Sequence, residues 1–235
     1  MYTNAHSMGN KQEELEAMVQ LQSYDVVAIT EMWLDESHHW STALNGYELF
    51  RRDRKGRRGG GVALYIKKAF DTIGIETNED GVECLWVRIK GKAKKADILL
   101  GVCYHPPNQE EEVDNLFYKQ LEKISVSSAL VLVGDFNLPD ICWELNTAEK
   151  RRSRKCLECM EDNFLLQLVG EPTRGRTMLD GLVGCGGGRL TGARVIMMIE
   201  FSIFGEIRRS TNKTLTLDFW RADFGLFRRL IQRVP

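Results

Sequence analysis

Three apolar segments of this 235-residue sequence end in polar residues suited to phosphate chemistry. Asp135 and Asn137 follow LVLVG, Glu31 follows VVAIT, and Tyr104 follows LLGVC. Residues i and i+2 of an extended chain face the same way, so Asp135 and Asn137 can enter one site. With Glu31 they would form an oxygen-rich pocket, which suits a phosphate and a Mg²⁺ ion that keeps most of its waters. Taken singly, each motif also fits turn chemistry or an ordinary acid at a strand end.

The segments around these residues predict an α/β fold that brings strand ends together. Helical periodicity is present at residues 11–22, 110–124 and 155–169. Strands are predicted at 24–31, 82–89, 97–107 and LVLVG, with a hairpin at LFRRDRKGRRGGGVALYI. Because hairpins and crossovers are mixed, a sandwich of mixed sheets is favoured over a purely parallel fold.

Composition predicts a globular intracellular protein, nuclear or cytoplasmic. The chain is 43% hydrophobic with a net charge of −1, which is enough apolar material for a core. No apolar stretch approaches the roughly 18 to 20 residues of a membrane span, and the N-terminus lacks an apolar signal core. The six cysteines form no disulfide or zinc framework, so Cys156 and Cys159, spaced CxxC, are expected to be free thiols. No obligate protein partner is evident.

The basic residues suggest a contact with DNA. Residues 151–235 hold 15 Lys and Arg against 9 Asp and Glu. The turn RRDRKGRR contributes Arg51, Arg52, Arg54, Lys55, Arg57 and Arg58. Such a turn can contact DNA phosphates without reading sequence, and it fits a soluble hairpin tip equally well.

Five motifs together resemble the endonuclease/exonuclease/phosphatase superfamily. TNAHS, AITEMW, GVCYHPP, LVGDFNLPD and EPTRGRTMLD occur in that family's order. More narrowly, they resemble the endonuclease domain of a chicken-repeat-type LINE (non-LTR) retrotransposon, in a degenerate copy. LDFWRADFGLFRRLIQRVP resembles the connector toward the reverse transcriptase. The implied organisation is a family domain at 1–206, with a truncated first strand and a degenerate 181–197, followed by a basic connector at 207–235 that ends in a helix. The short first strand is expected to pair poorly within a sheet, and the glycines after Asp180 are expected to cost that segment its order.

The resemblance implies a DNase I-like four-layer sandwich, with two mixed β-sheets flanked by helices, and a role for each site residue. Glu31 would bind Mg²⁺, with Mn²⁺ as an alternative, and Asn4 would hold the polar network. Tyr104 would contact the scissile phosphate, and Asp135 would orient or deprotonate the attacking water. Two further residues carry over: Asn137 would hydrogen-bond the phosphate, and Asp180 would match an acid near the end of the family pattern.

One part of the family pattern is missing. Relatives carry Ser-Asp-His ahead of a strand like MIEFSI, but here Val195, Ile196 and Met197 precede it and no histidine follows His105. Codons AGT GAT CAT GA read one base later give Val-Ile-Met, so we hypothesise a local frameshift. His6, His38 and His39 lie in polar stretches and are expected at the surface, whereas His105 is a weak candidate to replace the missing imidazole.

The implied function is a Mg²⁺-dependent DNA endonuclease that nicks phosphodiesters for target-primed reverse transcription. Loss of the Asp-His pair predicts very weak or absent activity, since a general acid or base typically contributes about 10²- to 10⁴-fold. Two alternatives stay open, namely an inactive relic or weak nucleic-acid-binding module, and a phosphatase of the same superfamily.

Overall fold

The computed structural model describes residues 1–9, 11–33, 43–54, 59–77, 81–91, 96–125, 129–168, 180–186, 189–195 and 198–204. The predicted connector at 207–235 therefore lies outside the described residues, as do His38, His39, Lys55, Arg57 and Arg58. None of the helices in the described part of the chain has the length and apolar character needed to cross a bilayer.

The described chain alternates helices and strands. The helices are α1 (Gln12–Gln22), α2 (Glu111–Ser125) and α3 (Arg151–Asp162). The strands are β1 (Tyr2–Asn4), β2 (Val26–Thr30), β3 (Tyr47–Arg52), β4 (Val62–Lys67), β5 (Thr72–Ile75), β6 (Cys84–Ile89), β7 (Ile98–Tyr104), β8 (Ala129–Asp135), β9 (Ile141–Cys142), β10 (Thr147–Ala148), β11 (Leu166–Gln167), β12 (Asp180–Gly186), β13 (Arg189–Val195) and β14 (Met198–Phe204).

Two six-stranded mixed sheets form the centre of the fold. The first has the order β13-β14-β1-β2-β4-β3, and the second has the order β11-β12-β8-β7-β6-β5. Each contains one parallel pair, β1 with β2 and β7 with β8, among antiparallel neighbours. A parallel pair places the carboxyl ends of its two strands side by side, so each sheet has one edge where two such ends meet.

Apolar packing arranges these elements in four layers. Leu15 and Val19 of α1 pack on one face of the first sheet with Val27 and Ile29. The inner faces of the two sheets meet in a core of large aliphatic side chains that includes Leu64, Ile66, Leu100, Val102, Val131 and Val133. On the outer face of the second sheet, Trp86 and Leu132 pack with α2 and α3. The predicted α/β sandwich of two mixed sheets flanked by helices is confirmed.

The first strand is short but well paired, contrary to the expectation that its truncation would weaken pairing. Tyr2 pairs with Ala28 on one side and with Ile199 on the other, so β1 lies between two neighbours. The Tyr2 side chain is fully buried, and its hydroxyl lies 3.1 Å from Thr30 Oγ1. Pairing on both sides and burial compensate for a length of three residues.

The glycine-rich segment after Asp180 is also ordered as a strand, although glycine is unfavourable in strand interiors. All seven residues of β12 pair with β8, from Asp180 opposite Asp135 to Gly186 opposite Ala129. A Cβ at Gly181 would lie 2.6 Å from the Phe136 ring. A glycine is thus required there by close packing, and the expected loss of order in this segment is wrong for residues 180–186.

Other elements also differ from the sequence prediction. The third helix ends at Asp162 instead of continuing to residue 169, because Leu166–Gln167 pair with β12 as an edge strand. β5 was not predicted, since TIGI contains a glycine and only four residues. It pairs with β6 at the opposite edge of the same sheet.

Candidate active site

The polar residues predicted from strand ends meet between the two sheets. In the first sheet, the parallel register pairs Asn4 with Thr30, which places Asn4 beside Glu31. In the second sheet, Tyr104 pairs with Asp135. A Cβ at Gly134 would lie 2.0 Å from the Cys103 carbonyl oxygen, so only glycine lets β7 and β8 approach this closely just before Asp135.

One amide links the carboxylates of the two sheets. Asn4 Nδ2 donates to Glu31 Oε1 at 2.8 Å and to Asp135 Oδ2 at 3.0 Å. Glu31 is 8% exposed and Asp135 is fully buried. A single NH₂ group that donates to both acids holds them in one site although 104 positions separate them in sequence. The predicted metal ligand and the predicted water-activating acid thus lie within the same polar network.

Asp135 and Asn137 are arranged by the turn that follows β8. The Asn137 backbone N–H donates to Asp135 Oδ1 at 3.1 Å, and the Asn137 side-chain nitrogen donates to the His105 carbonyl at 2.9 Å. The His105 backbone N–H donates to the Asp135 carbonyl at 2.9 Å. These bonds fix the loops after β7 and β8 to each other. Asp180 begins the neighbouring strand, with its backbone opposite Asp135.

Tyr104 presents a neutral phenol to the site. Burial raises the pKa of Tyr104 to about 12, and the negative charges of Glu31 and Asp135 contribute to the rise, against the opposing charge of Arg54. The Arg54 guanidinium carbon lies 5.6 Å from the centre of the Tyr104 ring, within the range of a cation–π contact. The hydroxyl therefore keeps its proton at neutral pH and can donate a hydrogen bond to a phosphate oxygen.

Glu83 is a member of the site that the sequence analysis missed. Its Oε1 accepts from Arg54 Nε at 2.6 Å and its Oε2 accepts from the Gly61 backbone N–H at 2.7 Å. Burial raises the pKa of Glu83, while the Gly61 N–H and Arg54 oppose the shift. Its carbonyl accepts from the Tyr104 N–H at 2.8 Å. A single acid before a strand is not distinctive in a sequence, so the place of Glu83 in the site is visible only in the fold.

His6 is exposed, as its polar sequence context predicts, but its contact with the candidate site was missed. Its Nδ1 lies 3.2 Å from Glu31 Oε2, and its side chain is 52% exposed. Its backbone N–H donates to Asn4 Oδ1 at 3.2 Å. The imidazole thus borders both the solvent and the predicted metal-binding acid.

Unfavourable backbone conformations are concentrated around this network. Left-handed φ values occur at His6 (46°), Ser7 (92°), Glu31 (55°), Trp33 (56°) and Asn137 (46°). Residues other than glycine adopt left-handed φ values at an energetic cost. Such residues cluster at functional sites, where surrounding contacts enforce the conformation. The arrangement is typical of a binding or catalytic centre.

Residues 2–222 match the sequence pattern of the Endonuclease/Exonuclease/phosphatase family. The chain belongs to this family. The name of the family covers hydrolases that cleave phosphate esters in nucleic acids and in other molecules. No curated protein sequence matches the chain.

Solved structures share the family fold at low sequence identity. The endonuclease domain of TRAS1, a telomere-specific non-LTR retrotransposon, aligns with a TM-score of 0.64 at 18% identity, over 83% of this chain and 89% of that domain. The AP endonuclease LMAP from Leishmania major aligns with a TM-score of 0.62 at 13% identity, over 78% and 77%. A mannosyl-6-phosphatase from Bacteroides thetaiotaomicron aligns with a TM-score of 0.54 at 14% identity, over 85% and 92%.

The donor atoms of this family member fit a hard divalent cation. Glu31 and Asp135 supply carboxylate oxygens within a network that also contains an amide. Across the described residues, no group of three or more His, Cys, Asp or Glu side chains is placed to hold a metal by itself. Mg²⁺ commonly binds through one or two carboxylates and keeps several waters, so a site with few protein ligands suits it.

The described members of the predicted DNA-binding turn make internal contacts. Arg51 pairs with Asp53 at 2.7 Å, and Arg52 donates to Thr77 Oγ1 at 2.7 Å. Arg54 pairs with Glu83 and lies over the Tyr104 ring, at the edge of the candidate site. Contact between these residues and DNA stays a prediction.

His105 stabilises the packing of the loop after β7 and is not part of the candidate site. It is buried, its Nδ1 lies 3.0 Å from the Phe136 carbonyl oxygen, and its Nε2 lies 2.6 Å from Asp114 Oδ1. Arg152 of α3 donates to Asp114 Oδ2 at 2.7 Å. These contacts tie the loop after β7 to α2 and α3, so His105 does not present a ring nitrogen to the acids of the site.

The same cluster predicts a loss of stability in acid. Burial disfavours the charged form of Asp114, but hydrogen bonds from His105 and Arg152 outweigh it and lower its pKa from 3.8 to about 2. An acid whose pKa is lower in the folded than in the unfolded state stabilises the fold fully above its unfolded pKa. This stabilisation is lost as pH falls through the folded pKa. We expect Asp114 to contribute about 2 kcal/mol that is lost between about pH 4 and pH 2. The free energy of unfolding, measured with urea across this pH range, tests the expectation. An equally steep loss of stability in acid for Asp114→Asn would contradict the assignment.

Proposed function

We propose that this chain is a Mg²⁺-dependent DNA endonuclease with a reduced turnover rate. The observation that carries the proposal is the Asn4 amide, which holds Glu31 and Asp135 in one site at the junction of the two sheets. The fold shared with the endonuclease domain of TRAS1 and the resemblance to the LINE connector support a retrotransposon origin. In that setting, the nick would prime reverse transcription at a target site.

The residues of the site divide the work of phosphodiester hydrolysis. Glu31 would hold the cation, which supplies positive charge against the charge that builds on the phosphate. Asp135 would orient a water and accept its proton. The Tyr104 phenol would donate a hydrogen bond to a nonbridging phosphate oxygen. Asn4 would hold the Glu31 and Asp135 carboxylates at a constant separation during the reaction.

The surface beside Tyr104 suits a nucleic acid. Arg54 stacks over the Tyr104 ring and supplies a cation at the edge of the site. Trp33 follows Glu31 by two residues, is 47% exposed, and is held by its backbone N–H to the Gly60 carbonyl at 3.0 Å. In nucleic-acid-binding proteins, an exposed indole can stack on a nucleobase while basic side chains contact the backbone. DNA binding at this surface is therefore expected to weaken with salt.

The missing Asp-His pair favours a second candidate function, a nucleic-acid-binding protein without turnover. Residues 195–197 carry no acid and no imidazole, so no side chain there can act as a base or donate to the phosphate. This candidate keeps the DNA surface and the cation site but not the hydrolysis.

A plasmid assay separates these functions. Purified protein is incubated with supercoiled plasmid in Mg²⁺, in EDTA, and with a phosphate monoester in place of DNA. We expect slow nicking that requires Mg²⁺, with negligible hydrolysis of the monoester. Binding to DNA without nicking would establish the second candidate instead, and faster hydrolysis of the monoester than of DNA would assign the chain to phosphatase chemistry.

A further inference from the structure

The His6–Glu31 contact has the geometry of two ligands that share one cation. We propose that His6 is a second protein ligand of the divalent ion held by Glu31, an inference that rests on the proposed cation site. Two ligand atoms bound about 2.1 Å from one ion, at right angles to each other, are roughly 3 Å apart. His6 Nδ1 and Glu31 Oε2 are separated by 3.2 Å.

The hydrogen bonds of Glu31 leave the correct oxygen facing His6. Oε1 accepts the Asn4 amide at 2.8 Å, so this oxygen is fixed toward Asp135 and the second sheet. Oε2 is the atom that faces the imidazole. With its proton on Nε2, a neutral His6 presents the Nδ1 lone pair to the same space as Oε2.

Backbone bonds hold His6 in this position before any ion binds. The Ala5, Ser7 and Met8 N–H groups donate to the carbonyls of Thr30, Glu31 and Met32 at 2.9, 2.9 and 3.0 Å. The segment after β1 therefore runs alongside the segment after β2, with His6 opposite Glu31. The left-handed conformation of His6 (φ 46°) is enforced by these bonds. A ligand held in advance loses little conformational freedom on binding.

A nitrogen ligand changes which ions the site prefers. Carboxylate and water suit Mg²⁺, whereas imidazole favours ions later in the divalent series such as Co²⁺. His6 is half-exposed, which leaves space for waters to complete the coordination. The site should therefore bind Co²⁺ and Mn²⁺ more tightly than Mg²⁺, by a margin that depends on His6.

Calorimetric titration with Co²⁺ and with Mg²⁺, together with the visible absorption of bound Co²⁺, tests this without any nuclease assay. The variants are His6→Asn, His6→Gln, Glu31→Gln and the double variant His6→Asn/Glu31→Gln, with Ser7→Ala as the matched neighbour. We expect His6→Asn and His6→Gln to weaken Co²⁺ binding by at least about 10-fold and to alter its absorption, with a much smaller effect on Mg²⁺. Ser7→Ala should leave the binding of both ions unaffected, and the double variant should bind Co²⁺ no more tightly than Glu31→Gln alone.

The outcomes separate this inference from the proposed function. If Glu31→Gln abolishes binding while both His6 variants bind Co²⁺ as the unchanged chain does, His6 is not a ligand and the cation site stands. If none of the variants changes binding, the cation site itself is wrong. In the unchanged protein, His6 ring signals that stay sharp at saturating Mn²⁺ in nuclear magnetic resonance would show that no ion binds beside Glu31, and would refute the cation site together with the ligand.

Discussion

Replacing Val195, Ile196 and Met197 by Ser, Asp and His is expected to raise the rate of plasmid nicking by about 10²- to 10⁴-fold. The family resemblance places an acid-oriented imidazole at this point of the sequence, where it would act as a base or donate to the phosphate. The described parts of the site already provide Glu31 and Asp135. The change therefore adds the one component that the sequence lacks.

The strand pairing around these positions supports the expected gain. Met198 begins β14 and pairs with Thr3, the residue before Asn4. Val195 ends β13 and pairs with Ile199. Residues 196 and 197 lie outside the described residues, but both of their chain neighbours belong to the sheet that carries Asn4 and leads to Glu31. Met198, the residue that follows position 197, thus lies beside the strand that holds the site together.

Initial nicking rates of the triple variant and the unchanged chain give the comparison. Met197→His alone should give a smaller gain, because no acid orients the ring, and Met197→Gln controls for polarity at the same position. A triple variant that folds, binds DNA and nicks no faster than the unchanged chain would show that the missing pair is not what limits activity.

The second large effect is expected from Asp135→Asn, measured in the background of the triple variant where the rate is high enough to follow. The substitution removes the carboxylate that would accept a proton from water, so nicking should fall by about 10²- to 10⁴-fold. Shape and volume are nearly unchanged. The Asn137 N–H can still donate to the oxygen of the substituted amide, whereas the bond from Asn4 is lost because an amide NH₂ cannot accept it.

Asp140→Asn is the matched control, because Asp140 lies further along the same loop. Its carboxylate accepts from Ser153 Oγ at 2.6 Å and from the Lys150 N–H at 2.8 Å, where α3 begins. This change should alter the free energy of unfolding but not the nicking rate of the folded protein. Retention of a third or more of the rate by Asp135→Asn would remove Asp135 from the chemistry.

The sequence predicted the strands of the site well because they are apolar runs that end in polar residues. LVLVG and VVAIT became β8 and β2, with Asp135 and Glu31 at their ends. Asn4 was assigned through the family resemblance alone, since nothing local links it to an acid 131 positions away. Such contacts depend on how the sheets pack, which periodicity does not encode.

The missed features share a tertiary origin. His6 lies in a polar stretch, and only the backbone bonds between the segments after β1 and β2 place it against Glu31. The strand β12 contradicts glycine propensity because pairing with β8 and close packing of Phe136 on Gly181 decide its conformation. Local preference is outweighed wherever a neighbouring strand supplies both hydrogen bonds and apolar contact.

Anomalous diffraction from crystals of the protein soaked with Mn²⁺ would show whether Glu31 and Asp135 form one cation and phosphate site. We expect an anomalous peak at coordination distance from Glu31 Oε2, in a cavity that Asp135 also borders. Peaks confined to other surfaces, or a crystal structure that separates Glu31 from Asp135, would contradict the proposed site.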